Sequence, residues 1–406
     1  MDRRRFLAAL PAASLAASLP LGAPRLWAAP SVGDTKLLVV MLRGACDGLS
    51  LLVPYASSFY YESRPTIAVP RPDGGDPNAA VKLDATYALN AAARDTLLPM
   101  WSAGQLAFVP FAGSTDKSRS HFQAQDLMEL GQGDAARLDY GSGFLNRLVT
   151  EVGGRGGVSF TQNLTPVFKG TTVVANVGLR GGRAGKPALP DRQAATVASM
   201  YEGTKLGTMV QEGMDTRRDV SRTLSGMDVE MNEANRGAFG ANAFERQAKA
   251  IAALMKAKPE YAVGFVDVGG WDTHVNQGAA QGQLANNLRN LSAGIAAFGR
   301  DMGPAWRDTV VVVISEFGRT FRENGNRGTD HGHGNVMWLA GGRVKGGIHG
   351  RQVGLTAQSL HENRDLPVLN DYRAVLAGVF TSMYGLDGGA LDRVFPGVKA
   401  ERLALV

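Results

Sequence analysis

Residues 327–335 read RGTDHGHGN and place Asp330, His331 and His333 within four positions between glycines. The chain has only six histidines, so two in one short loop concentrate its imidazoles. Carboxylate and imidazole together suit divalent metals, and imidazole also moves protons near neutral pH. Read alone, the loop is as readily a polar turn. Its meaning depends on which other groups the fold brings to it.

Four other segments carry ionisable residues directly after an apolar run. KLLVVML (36–42) leads to Arg43 and Asp47, and LAFVPFAG (106–113) leads to GSTDKSRSHFQAQDLMELG. EYAVGFVDVGG (260–270) leads to Asp272 and His274 in WDTH, and TVVVVIS leads to Glu316 and Arg319. Two residues apart on an extended segment, Asp272 and His274 aim to one side. Each piece has a structural alternative. Asp47 suits a turn, Glu316 a cap, and Ser118 and Ser120 the start of a helix. In open α/β sheets, however, ligands bind beyond the carboxyl ends of the strands, where all these groups would meet. Asp47, Asp272, His274, Glu316, Asp330, His331 and His333 then form a ligand set for one or two divalent ions. Zn, Mn, Mg and Ca all remain open.

The serine segment offers a nucleophile. Ser120 precedes Gln123 by three residues, a capping-box spacing, and the following residues have helical character. A hydroxyl at a helix N-terminus lies in positive potential, which suits attack on an anionic group. Arg119, and with it Lys117, are placed to bind that group's oxygens.

The elements that must position these residues read as α/β, with a large mostly parallel sheet and helices on both faces. Uninterrupted apolar runs suit strands buried on both sides, and VMWLAGG (336–342) is a fifth such run. Leu284, Leu288, Leu291, Ile295 and Phe298 recur at helical spacing within 283–302, and NDYRAVLAGVFTSMYG reads as a closing amphipathic helix. Residues 141–195 are glycine-rich and 196–256 polar. The stretch of about 150–255 therefore reads as an insertion or cap on a single α/β domain spanning 30–406.

The first 29 residues read as an export signal. A run of arginines, Phe6-Leu7, an alanine-rich apolar stretch and the small residues Ala28-Ala29 point to the twin-arginine route. The expected location is the periplasm or the exterior, after cleavage near Ala28/Ala29. The export machinery would be a partner during secretion. Residues 1–28 carry four arginines against one aspartate, so their removal halves the formal charge of +6. A surface that mildly basic does not argue for nucleic acid. No later stretch has the apolar length for stable membrane insertion. The single cysteine, Cys46, excludes an internal disulfide.

SRSHFQAQDLMELG, GGWDTHVNQG, SEFGRTFRENGNRGTDHGHGN and DYRAVLAGV resemble an exported bacterial family, domain of unknown function 1501, from about residue 36 to the C-terminus. That family in turn resembles the alkaline phosphatase superfamily, including sulfatases. The resemblance implies an alkaline-phosphatase-like sheet with a two-metal site and a hydroxyl or formylglycine nucleophile. By this resemblance, Asp47 corresponds to the first metal aspartate and Ser118 or Ser120 to the nucleophile. Asp272 and His274 correspond to ligands of the other metal, Glu316 to a ligand aspartate, and His331 or His333 to the late ligand histidine. Phe317 stands where a metal histidine is usual, and Asp330 with a loop histidine would have to compensate. No Cys-x-Pro-x-Arg sequence occurs, so formylglycine is not supported.

The expected function is a metal-dependent hydrolase of a phosphate or sulfate ester, in a small molecule or a polymer. The nucleophile would be a serine or a water activated by the metal. Arg119 or Arg319 would bind the ester oxygens. A different class, supported by Phe317, is a non-catalytic exported binding or assembly protein retaining one structural metal. A metal-free serine esterase is the poorest fit, because no G-x-S-x-G elbow is present.

Overall fold

The computed structural model describes residues 35–133, 138–153, 156–180, 183–184, 191–204, 206–215 and 243–406. The export-signal segment, and residues 216–242 of the expected insertion, lie outside the described residues. No helix among the described residues is long and apolar enough to cross a membrane.

Nine strands form the main sheet. In chain order they are β1 (Lys36–Leu42), β2 (Leu106–Gly113), β3 (Gly157–Ser159), β4 (Ala175–Asn176), β5 (Val263–Val268), β6 (Thr309–Ser315), β7 (Asn335–Ala340), β8 (Gly347–Ile348) and β9 (Asn370–Asp371). The order across the sheet is β8-β2-β7-β6-β1-β5-β3-β4, with β9 also paired to β2. β1 lies between β5 and β6 in parallel register, with Val39 opposite both Phe265 and Val312. The sheet is mixed, because β7 runs antiparallel to both of its neighbours. That reversal has a consequence for the site. Since β7 enters the sheet from the edge where β6 leaves it, the loop between them stays at the carboxyl end.

The continuous apolar strands are buried on both faces, as such runs require. In β1, Leu38, Val40 and Leu42 join one core, and Leu37, Val39 and Met41 join the other. The first core packs under α1 (Arg94–Ser102), α4 (Ala243–Ala257) and α5 (Gln283–Met302). The second packs under α3 (Phe144–Glu151), α6 (Tyr372–Tyr384) and α7 (Gly388–Val394), and takes Met128 from α2 (His121–Leu130). Leu284, Leu288, Leu291, Ile295 and Phe298 of α5 all lie in the first core. Each such buried side chain contributes about 1.5–3 kcal/mol of transfer free energy. Two helical readings shift in detail. α6 is buried almost all round rather than amphipathic, because Phe395 stacks on Phe380 and the C-terminal segment lies along it, the Glu401 N–H donating to the Ala374 carbonyl at 2.9 Å. Within the 150–255 stretch, β3 and β4 extend the sheet edge and α4 packs on the first core.

Candidate metal centre

Three strand ends and one loop build the site. β2 leads through residues 114–120 into α2, whose first residue is His121. β5 leads to Trp271, which is buried and donates its indole N–H to the Val268 carbonyl at 2.9 Å. That anchor leaves Asp272 and His274 facing outward, each partly exposed. β6 leads to Glu316, fully buried, and then to Arg319.

The strand exit and the late loop pair with each other. Gly318 N–H donates to the His333 carbonyl at 2.8 Å, Gly332 N–H to the Gly318 carbonyl at 2.8 Å, and Thr320 N–H to the Asp330 carbonyl at 2.9 Å. The glycines of RGTDHGHGN serve this close approach. A Cβ on Gly328 would run into the His274 carbonyl, and one on Gly332 into the backbone of Arg319.

Three imidazoles and one carboxylate converge as a result. His331 Nε2 lies 2.9 Å from His121 Nε2, 3.1 Å from His274 Nε2 and 3.3 Å from Asp272 Oδ1. His274 Nε2 lies 2.9 Å from the same Asp272 oxygen, and His121 Nε2 lies 3.5 Å from it. One ligand atom each from His121, Asp272 and His331 falls within 4.8 Å of the others, as a shared cation requires. His274 flanks this triad on the Asp272 and His331 side.

The opposite ring nitrogens decide the tautomers. His331 Nδ1–H donates to the Arg119 carbonyl at 2.9 Å, and a carbonyl can only accept. His121 Nδ1 meets Glu316 Oε1 at 2.9 Å, and His274 Nδ1 meets Asp330 Oδ1 at 3.2 Å. Each Nδ1 therefore carries the proton, and each Nε2 of a neutral ring presents a lone pair toward the others. Four acceptors facing inward repel one another unless a proton or cation lies among them. Outer oxygens that lock imidazoles this way are the usual second layer of a metal site. Arg119 has φ +54, uncommon for a residue with a side chain, and its carbonyl is the one that holds His331.

The charges are consistent with that arrangement. The hydrogen bond to Glu316 raises the His121 pKa despite partial burial. Burial lowers the His331 pKa, and the neighbouring His121 lowers it further. Burial pushes the Asp272 carboxyl up, but Arg319 and the three histidines together take it below its ordinary value. The Arg319 side chain is wholly buried and donates from Nη2 to Asp272 Oδ1 at 2.9 Å. Its buried Nε and Nη1 have no hydrogen-bond partner among the described residues, so its charge bears chiefly on Asp272.

Other residues singled out from the sequence lie apart from this convergence. Asp47 is 1% exposed and its oxygens are taken. Arg64 donates to Oδ2 at 2.6 Å and Oδ1 at 3.1 Å, and Ser50 and Gln277 donate to Oδ2 at 2.7 and 2.8 Å. Glu316 faces the cluster only through His121 Nδ1. Asp330 holds His274 from outside. His333 lies against His361, the rings tilted by 43° with centroids 4.9 Å apart. Burial, with His361 and Lys117 beside it, lowers its pKa to about 4. Ser118 donates to Asp116 Oδ2 at 2.6 Å, and Arg119 is ion-paired to Asp365 and Glu362. Ser120 is the residue before α2, but its side chain makes no capping hydrogen bond, so the capping-box spacing is not used. Phe317 lies against the imidazoles of His121 and His331, with centroids 5.1 and 5.3 Å away.

The family model described as "Protein of unknown function (DUF1501)" matches residues 112–395. The chain belongs to this family. The matched segment begins at the end of β2 and takes in all four converging side chains, whereas Asp47 and Arg64 precede it. The fold is similar to the crystal structure of Ps i-CgsB in complex with k-i-k-neocarrahexaose, at 10% identity, 88% coverage of this chain, 73% of that chain and a TM-score of 0.35. A likeness of that extent carries nothing about chemistry. No curated protein matches the chain.

His121 is the member of the cluster that strand-end reasoning left out of its ligand set. Helical periodicity contained the missing signal. His121, Gln125 and Glu129 recur every four residues and so share a face of α2. Gln277 is a second omission. Buried beneath the cluster, it accepts from the Thr273 and Thr329 hydroxyls at 2.8 and 2.7 Å and donates to Asp47. No sequence spacing announces that role.

Proposed function

We propose that this protein is a metal-dependent hydrolase of a phosphate or sulfate ester, with a single divalent cation held by His121, Asp272 and His331. The observation that carries the reading is the inward convergence of Nε2 lone pairs on Asp272, each ring locked by an oxygen on its far side. An imidazole-rich donor set favours Zn2+ over Mg2+ or Ca2+. The complete pairing of Asp47 with Arg64, Ser50 and Gln277 supports one metal rather than two.

A divalent cation there would neutralise ester oxygens and acidify a nearby hydroxyl or water. The chain's own residues supply the rest. Ser120 precedes His121 at the start of α2 and is the better placed nucleophile, since Ser118 is tied to Asp116. Arg319 holds Asp272 against the cluster. His274, backed by Asp330, takes or returns a proton at its Nε2. Substrate enters over the half-exposed Asp272 and His274. The arginine-led apolar segment 1–29 supports export by the twin-arginine route to the periplasm or beyond.

The second reading, an exported binding protein with one structural metal, is favoured by the commitment of Arg119 to Asp365 and Glu362 and by Phe317 against the imidazoles. Metal analysis of the purified protein, with p-nitrophenyl phosphate and sulfate hydrolysis followed before and after chelation, separates the two. The hydrolase reading expects bound metal, chelator-sensitive turnover and loss of turnover in Ser120→Ala. Bound metal without turnover on any ester would leave the binding protein, and chelator-resistant turnover would overturn both.

A further inference from the structure

The polar face of α2 continues past the cluster into a chain of hydrogen bonds that no part of the proposed reaction uses. Gln125, one turn beyond His121, donates its amide N–H to Glu316 Oε1 at 2.9 Å. The same oxygen accepts the Gly44 N–H at 2.8 Å and meets His121 Nδ1 at 2.9 Å. An amide can present either its oxygen or its nitrogen, so something must set the orientation of Gln125. Arg43 does so, because its Nη1 donates to Gln125 Oε1 at 2.8 Å. Arginine has no acceptor, so a flipped amide would set nitrogen against guanidinium and oxygen against the Glu316 carboxylate.

Arg43 is itself fixed at three points. Its Nε donates to Asp267 Oδ2 at 2.7 Å and its Nη2 to Glu129 Oε1 at 2.8 Å. Glu129 is 3% exposed, and its other oxygen accepts the Val167 N–H at 3.1 Å. The network thus joins the ends of β1 and β5 to α2 and to the turn at 166–168.

We infer that Gln125, oriented by Arg43, is a positioning residue that holds Glu316 so that His121 keeps its proton on Nδ1 and offers Nε2 to the cluster. This rests on the metal-site reading for its consequence, but the tautomer itself can be read without metal. Three donors on one Glu316 oxygen leave that carboxylate no freedom to rotate toward the cluster, and it stays an orienter rather than a ligand. Loss of such an outer partner weakens metal binding by about 10–100-fold.

The test compares the native protein with Gln125→Met, which keeps the side-chain length and removes both hydrogen bonds, and with Arg43→Lys, which removes the planar fork. Zn2+ affinity is measured by competition with a chromophoric chelator, folding by circular dichroism and melting, and the His121 tautomer by 15N NMR of histidine-labelled metal-free protein. Gln125→Met is expected to fold, to lose about 10–100-fold in Zn2+ affinity, and to show His121 as a mixture of tautomers. Arg43→Lys is expected to fall between it and the native protein. Native Zn2+ affinity together with an unchanged Nδ1–H signal in Gln125→Met would overturn the inference while leaving the metal site standing. If the native protein bound no Zn2+, the metal reading would fall and the NMR arm alone would decide whether Gln125 positions His121.

Discussion

His331 and His333 are two residues apart in one loop, yet the fold puts them in opposite environments. His331 is partly buried, is held by a backbone carbonyl on one side, and faces two imidazoles and a carboxylate on the other. His333 is 7% exposed, set against His361 and bordered by Lys117 and Arg119. The first stands in the cluster proposed to share a cation. The second is kept neutral by burial among positive charges and acts as packing. Residue type and spacing are the same, so what differs is the set of oxygens within reach of each ring.

The largest expected difference is in metal binding. His331→Ala should weaken Zn2+ binding by more than the ~100-fold that losing an outer partner costs, whereas His333→Ala should leave it within about threefold. Chelator competition on folded variants measures both. Comparable losses in the two variants would erase the distinction.

A smaller effect should appear in stability against pH. With a folded pKa of about 4 against an ordinary value of 6.5, His333 binds its proton more weakly when folded. Its contribution is therefore full above pH 6.5, falls as pH drops toward 4, and levels below that. The loss amounts to about 3 kcal/mol over the window. Urea melts of native and His333→Gln protein at several pH values should show that slope in the first and not in the second. His121 runs the other way. Its raised pKa contributes stability in the metal-free protein below its ordinary value, and that contribution is lost as pH rises through the folded pKa.

The smallest of these effects concerns Asp330, which touches His274 from outside at 3.2 Å. Asp330→Asn should weaken Zn2+ binding by about tenfold, the low end for an outer partner. It should also shift the pH profile of any hydrolysis through the His274 tautomer. No change in either measurement would remove His274 from the working part of the site.

Much of this protein was legible in its residues. Apolar runs bounded by glycine and charge marked the five long strands, because strands buried on both faces need uninterrupted apolar side chains. Looking for converging side chains at the carboxyl ends followed from the alternation of strands and helices, and Asp272, His274 and His331 do meet there. Which carboxylates face one another was not legible. Asp47 and Asp272 both follow a strand and look alike in sequence, but Arg64 folds back over Asp47 from a helix that no motif marks. The tautomer of each imidazole, the orientation of Gln125 and the burial of His333 are likewise set by groups tens to hundreds of residues away. The sequence by itself determined the sheet and the types of donor that gather at its carboxyl edge. Only the tertiary structure decided which donors meet, because hydrogen bonds act over about 3 Å and chain spacing says nothing at that range once a loop intervenes.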